Sequence, residues 1–286
     1  MTRSLKITGL FLALVIAYYG TFNHLTSQRA QYLEDNFMDY TLPSALTGPA
    51  SLEFKGLSSD YLLFKFMAFL GGRVQAISDN DPRYGSYIFS TLDTITDLDP
   101  YYWDAYLFAE MFLAWSGHPE KANQILEKAM IHRPDDYRPP YYIGFNNHLF
   151  LKDSKTASQY LMKAARLPGC PYYIGALAAR LSVFSFQHKD GIVFLEEMLK
   201  NTTDKRARRE FELRITTMKI LDFLEGKITE FNERFGHFPK QLEELVSAGL
   251  IRQIPEDPYK GQFVIMGNGR VYTTSKMLAY PAKKKK

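Results

Sequence analysis

One stretch of this chain occurs twice, and it limits the possible folds more than any other feature. Lys121–Ala129 reads KANQILEKA and Thr156–Ala164 reads TASQYLMKA, a shared A-x-Q-x-L-x-K-A. Ala122 and Ala157, Leu126 and Leu161, and Ala129 and Ala164 are each 35 residues apart, as are Tyr106 and Tyr141. Pro100, Pro134 and Pro168 follow one another at intervals of 34. A third start, Pro171-Tyr172-Tyr173-Ile174-Gly175, echoes Pro140-Tyr141-Tyr142-Ile143-Gly144. Breakers fall inside the units, at Ser116–Pro119 and Lys152–Ser154. A period of this length with a mid-unit breaker and a closing proline predicts helix-turn-helix units. Such a unit cannot bury its apolar face alone and must stack on its neighbours.

The pattern resembles the tetratricopeptide repeat family. Tyr106, Ala122, Ala129 and Pro134 match the early aromatic of helix A, the small contact positions of helix B and the exit proline. The small residue of mid helix A falls near Ala109 or Glu110 in one unit and at Gly144 in the next. The resemblance implies a scaffold that binds proteins on its concave side. The family's inner positions map to Leu107, Met111, Tyr142, Asn146, Leu149, Tyr173, Leu177 and Arg180, a mixture of side chains suited to a peptide or helix. The same residues also suit packing between repeats, and both readings stay open at this point.

The amino terminus carries a different signal. Residues 7–22, ITGLFLALVIAYYGTF, are preceded by Arg3 and Lys6 and followed by His24 and Arg29. A helical span needs about 17–25 apolar residues, which extension to Leu5 or Leu25 supplies. Tyr18 and Tyr19 stand where an interfacial aromatic belt would be. No small-x-small cleavage site or lipobox cysteine follows, so an uncleaved anchor is expected over 1–30 rather than a cleaved signal peptide or a buried helix. The flanking cations place the amino terminus inside. The rest would then be extracytoplasmic, in the periplasm of a bacterial source anchored in the inner membrane. One cysteine, Cys170, rules out an intrachain disulfide framework. A net charge of +4 gives no argument for nucleic acid.

A linker is expected over 31–57, with Pro43, Gly48 and Pro49 in it. Repeats are expected over 58–203. The first, divergent pair would have one helix capped by Ser58 or Ser59 and ended by Gly71-Gly72. Its partner would span about Tyr84–Thr96, after an inner loop Val74–Arg83. From Ser51 to about Thr203 the chain resembles a group of bacterial membrane-anchored tetratricopeptide proteins. They share S-L-x-x-x-x-L-x-x-D-x-L-x-x-K, here Ser51–Lys65, and L-D-x-I-T-x-L-D-P, here Leu92–Pro100. That resemblance implies location and fold rather than an activity. In the third full unit the first helix is expected to run through Phe186 and to break at His188–Gly191. Asp204 and its neighbours then cap an amphipathic helix, Lys205 to about Phe235, that closes the solenoid over 204–235.

The last module, 236–280, has a helix over 238–251 with Pro239 early and Gly249 at its exit. Val264–Met266 and Val271–Thr273 flank Gly267-Asn268-Gly269, a hairpin signal. The order F-P-x-x-L-x-x-L-x-x-x-G-x-I-x-x-I-P-x-D-P-Y-x-G-x-F resembles the segment after the long helix of type II secretion major pseudopilins, over about 236–274. The chain lacks the prepilin processing pattern, so it is not itself a pilin subunit. The pseudopilin calcium loop is not recognisable either. A basic tail, 281–286, follows.

Together these features predict a mainly α chain: a transmembrane helix, a tetratricopeptide-like α-solenoid and a small C-terminal α+β module with a β-hairpin. No catalytic set, metal site or cofactor motif is recognisable. The six histidines lack ligand spacing, and Cys170 sits in a helix-linking turn. The cluster Lys205, Arg206, Arg208 and Arg209 reads as a solvated face, with an anionic partner or lipid surface as the alternative. The expected function is a membrane-anchored extracytoplasmic scaffold for another protein, in a pseudopilin- or secretion-type assembly. The competing expectation is an envelope-processing accessory factor whose C-terminal module binds glycan or metal.

Overall fold

A computed structural model of the chain describes residues 11, 13–26, 28, 41–78, 82–185 and 187–278. The protein is mainly helical, with one small antiparallel sheet. It divides into two compact units, 1–116 and 117–286. The expected repeat segment, 58–203, is therefore shared between them.

In the first unit, residues 13–26 form helix α1. Among the described residues no helix is long and apolar enough to cross a membrane. The expected anchor, 7–22, lies partly outside the described residues, at 7–10 and 12. Next come α2 (Ser44–Ala50), α3 (Lys55–Ser78), α4 (Pro82–Leu98) and α5 (Trp103–Ala109), the last running into a π-helical turn, Glu110–Ala114. Three expectations are corrected. The stretch read as linker contains a helix, α2, packed on α4. Helix α3 starts before Ser58 and continues through Gly71-Gly72 to Ser78, so most of the expected inner loop is helical. A glycine lowers helix stability by about 1 kcal/mol relative to alanine but does not stop a helix that tertiary contacts hold. Ser59 is not a cap: it is buried within α3, and its hydroxyl donates to the Ile95 carbonyl at 3.4 Å.

The Leu92–Pro100 signature has a physical reading. Leu92, Ile95 and Leu98 are the buried face of α4. Thr94 donates to the Leu42 carbonyl at 3.3 Å and so ties the segment before α2 to α4. Asp99 accepts from the Tyr101 amide at 3.0 Å and turns the chain. Tyr106, fully buried, donates its hydroxyl to the Pro100 carbonyl at 3.0 Å. Phe66 packs edge-on to Phe108 and Phe112, with centroids at 6.1 and 6.2 Å, a geometry the ring quadrupoles favour.

The second unit holds α6 (Pro119–His132), α7 (Arg138–Leu149), α8 (Ser154–Ala165), α9 (Tyr172–Phe184), α10 (His188–Asn201) and α11 (Lys205–Phe235). Each packs on the next, and α11 also packs on α9. This succession of paired helices is a helical-repeat-like architecture. The repeated small residues explain it. Ala122, Ala129, Ala157 and Ala164 are all fully buried. A Cβ at Gly144 would stand 2.7 Å from Leu161 Cγ and 3.1 Å from the Ala157 carbonyl oxygen, so α7 presents only its backbone to α8 at that point. Ser158 donates from α8 to the Ala178 carbonyl of α9 at 2.9 Å.

The break in the third pair falls at Ser185–Gln187, where Phe186 lies outside the described residues. His188–Gly191, expected as the breaker, forms the first turn of α10 instead. Gly191 has a packing role there: a Cβ would stand 2.2 Å from Ser182 Oγ and 2.3 Å from Met218 Cε. Helix α11 matches its expectation. Asp204 accepts from the amides of Arg206 and Ala207, and Gly236 closes the helix in the left-handed region at φ 78°. Of its apolar stripe, Phe211, Ile215, Met218, Leu221, Leu224, Ile228 and Phe231 are buried, and Leu213 is half-buried.

The C-terminal segment forms α12 (Glu243–Ser247), β1 (Phe263–Ile265) and β2 (Val271–Thr273). The helix is much shorter than the expected 238–251. The first strand lies one residue earlier than expected, with Val264 opposite Tyr272. This segment is not a separate body: Leu242, Leu245, Ile251, Tyr259, Phe263, Val271 and Met277 belong to one core with α8–α11.

The motif I-P-x-D-P-Y-x-G is organised by one carboxylate. Asp257 is buried, accepts from the Tyr259 amide at 2.9 Å and the Gly261 amide at 3.1 Å, and also from the Thr273 hydroxyl. Gly261 must be small, because a Cβ would stand 2.6 Å from the Ser275 amide nitrogen.

Glu225 of α11 holds the hairpin. It accepts from Arg270 Nη1 at 2.9 Å and the Val271 amide at 3.1 Å. Buried His188 Nε2 lies 3.3 Å from the same carboxylate, an electrostatic contact rather than an aligned hydrogen bond. Burial alone would raise the Glu225 carboxyl, but His188, the Val271 amide and Arg270 outweigh it and hold it below the ordinary glutamate value. A lowered folded-state value contributes stability that is complete above the unfolded value, near 4.3. That stability is lost as pH falls through the folded value. Glu225→Gln is therefore expected to cost about 2 kcal/mol at pH 7. The gap from wild type should narrow in denaturant titrations repeated down to pH 3. A gap of constant size across that range would exclude the linkage.

Candidate functional site

The described part of the second unit holds a cavity of about 400 Å3 between α9 and α11. Tyr172, Tyr173, Leu177 and Arg180 line it from α9, and Arg206, Glu210 and Arg214 from α11. Leu278, beyond β2, closes one side. The spacing on α11 places its three residues on one helix face, and the Asp204 cap sets where that face begins.

Arg214 is the deepest charge. It is 4% exposed. Its Nη2 donates to Glu210 Oε1 at 2.6 Å and to the Met277 carbonyl at 3.0 Å, and its guanidinium lies 5.8 Å from the Tyr259 ring centre. Its Nε and Nη1 are buried with no hydrogen-bond partner, and so is Nε of Arg180. A buried donor left without a partner costs about 1–3 kcal/mol. Burial, and then the nearby Arg214 charge, lower the pKa of Arg180. The two like charges oppose each other across the cavity. Glu210 relieves part of this repulsion, with Oε1 also accepting from the Tyr259 hydroxyl at 3.2 Å. Three guanidinium groups against one carboxylate leave a formal excess of two positive charges.

The expected concave-face residues have different fates. Tyr173, 61% exposed, comes together with half-buried Leu177 and Arg180 in this cavity. Asn146, readable either as a groove residue or as packing between repeats, is fully buried, and its Nδ2 donates to Asn123 Oδ1 at 2.9 Å between α7 and α6. Tyr142 is half-buried beside Tyr141, with ring centres 5.1 Å apart. Half-buried Leu149 accepts at its carbonyl from Lys152 Nζ at 2.6 Å. Leu107 and Met111 belong to the first unit; Leu107 is half-buried, and Met111 lies in the π-helical turn, 51% exposed.

Sequence reasoning missed Arg214, Glu210 and Leu278. The legible signal was the four-residue spacing Arg206–Glu210–Arg214 on a helix whose apolar stripe was already defined. The basic cluster is only partly a solvated face. Lys205, Arg206 and Arg209 are exposed, but Arg208 Nη1 donates to the carbonyls of Leu199 at 2.8 Å and Thr202 at 3.2 Å, satisfying the end of α10.

A second cavity, about 620 Å3, lies beside Leu242 and Asp257 in the C-terminal segment. Its buried carboxylate is already used by Tyr259, Gly261 and Thr273, and no unpartnered buried side-chain atom points to a ligand there among the described residues. Cys170 is half-buried, and burial pushes its thiol up to about 11, so it is protonated and unreactive at neutral pH. Among the described residues no group of three or more His, Cys, Asp or Glu comes together that could hold a metal ion.

Comparison with protein-family models, with curated proteins and with solved structures finds no match. Fold and site define a mainly helical, repeat-like chain with a small sheet and a cationic cavity on its helical face.

Proposed function

We propose that this chain is a tetratricopeptide-like scaffold, anchored in a bacterial inner membrane with its bulk in the periplasm, that binds another protein of a pseudopilin- or secretion-type assembly. One observation carries the binding part of the reading. Leu57, Tyr61 and Phe64 follow one another at helical spacing on α3, with Phe54 just before it, and all four are 59–68% exposed. Covering such a side chain is worth about 1.5–3 kcal/mol, so a row of them forms a surface that gains from a partner. Helical-repeat-like packing in the second unit supports the scaffold reading. The membrane part rests on the apolar run 7–22 and its flanking cations.

Photoreactive residues at Tyr61 and Tyr173, with a control at exposed Lys163, test this in living cells. The expected result is capture of one and the same envelope protein at both tyrosines and not at Lys163, with the chain in the membrane fraction after alkaline washing. Equal labelling at all three positions, or release of the chain by the wash, would overturn the proposal.

A further inference from the structure

We infer that the cavity between α9 and α11 takes a carboxylate carried next to an apolar side chain, presented by an acidic segment of a protein partner. The inference rests on the scaffold reading above and names the chemistry that the partner would bring.

Three observations converge on it. Arg214, more than nine-tenths buried, has Nε and Nη1 without partners, and Arg180 has an unpartnered Nε in the same cavity. These are buried donors for which the protein supplies no acceptor. The charge is one-sided, with three arginines facing one glutamate whose Oε1 already receives Arg214 and Tyr259. An arriving anion relieves the repulsion between Arg180 and Arg214. The remaining wall is apolar, made by Tyr173, Leu177 and Leu278.

The shape of that lining selects among anions. A guanidinium fork pairs with the two oxygens of a carboxylate. A phosphate dianion would bring a further charged oxygen toward Leu177 and Leu278, which carry no side-chain donor. An apolar side chain beside the carboxylate fills the same wall and gains from burial. A partner segment with Asp or Glu next to an aliphatic or aromatic residue has both features.

The test uses the full chain, labelled with nitrogen-15, and follows the Nε–H resonances of Arg180 and Arg214, assigned with Arg180→Lys and Arg214→Lys. The probes are N-acetylphenylalanine, its uncharged amide and inorganic phosphate. The expected result is that N-acetylphenylalanine moves both resonances and binds at least ten-fold more tightly than the amide or phosphate. Arg180→Gln should weaken it at least ten-fold without lowering the melting temperature. Equal shifts with the amide, tighter binding of phosphate, or no shift with any probe would each overturn the inference. The scaffold reading fails separately. Lost capture at Tyr61 and Tyr173 with the carboxylate still bound would remove the protein partner and so overturn that half of the inference.

Discussion

Tyr106→Ala is expected to destabilise the protein by about 3–5 kcal/mol, the range for removing a large aromatic from a packed core. The side chain is fully buried, and its hydroxyl is bonded to the Pro100 carbonyl, which sits in the turn between α4 and α5. The substitution therefore opens a cavity and releases the turn together. Tyr106→Phe separates the two effects: it keeps the ring and should cost only about 1 kcal/mol, for one hydrogen bond. Chemical denaturation of the three proteins checks the order. A Tyr106→Ala protein within 1 kcal/mol of wild type would mean that α5 does not hold the first unit's core as described.

The second large effect is at Asp257. Asp257→Ala leaves two backbone amides and the Thr273 hydroxyl without their acceptor in a buried place. A loss of about 3 kcal/mol or more is expected, because each stranded donor costs about 1–3 kcal/mol. The core of the C-terminal segment is continuous with that of α8–α11. The loss should thus appear in the unfolding of the whole second unit and not as a separate early transition. Hydrogen exchange at the amides of α11 reads this directly. Unchanged protection in α11 alongside a loosened hairpin would show that the shared core does not couple them.

The Asp257 effect bears on what the carboxyl-terminal segment is. The resemblance to a pseudopilin tail implies a module after a connecting helix. Its contacts make it the closing piece of the helical array. Glu225, Glu210 and Arg214 on α11 reach Val271, Tyr259 and Met277 respectively. The same contacts place Leu278 at the edge of the cationic cavity. The site on the helical face is therefore partly built by residues that follow the hairpin.

Local signals made much of the fold readable beforehand. The 34–35-residue period located the helix pairs, since alanines recurring at that spacing mark where backbones approach. Asp204 and Gly236 bounded α11 because capping chemistry is local: a side-chain acceptor at one end and a residue free to take positive φ at the other. Gly267-Asn268-Gly269 marked the hairpin, and Gly269 does adopt the left-handed conformation at φ 78°.

Only the tertiary structure decided the rest. Gly71-Gly72 reads as a stop, yet α3 passes through it, because packing on α4 outweighs a local propensity cost of about 1 kcal/mol per glycine. His188–Gly191 also reads as a break, yet it forms the first turn of α10, where Ser182 and Met218 leave no room for a Cβ at Gly191. Asn146 reads equally as a groove amide or as packing between repeats, and its place between α7 and α6 buries it. The cavity's charge balance is of the same kind. Arg180 and Arg214 are 34 residues apart in the chain and share no local pattern. Whether two cations come together, and whether their donors find acceptors, depends on how α9 and α11 cross.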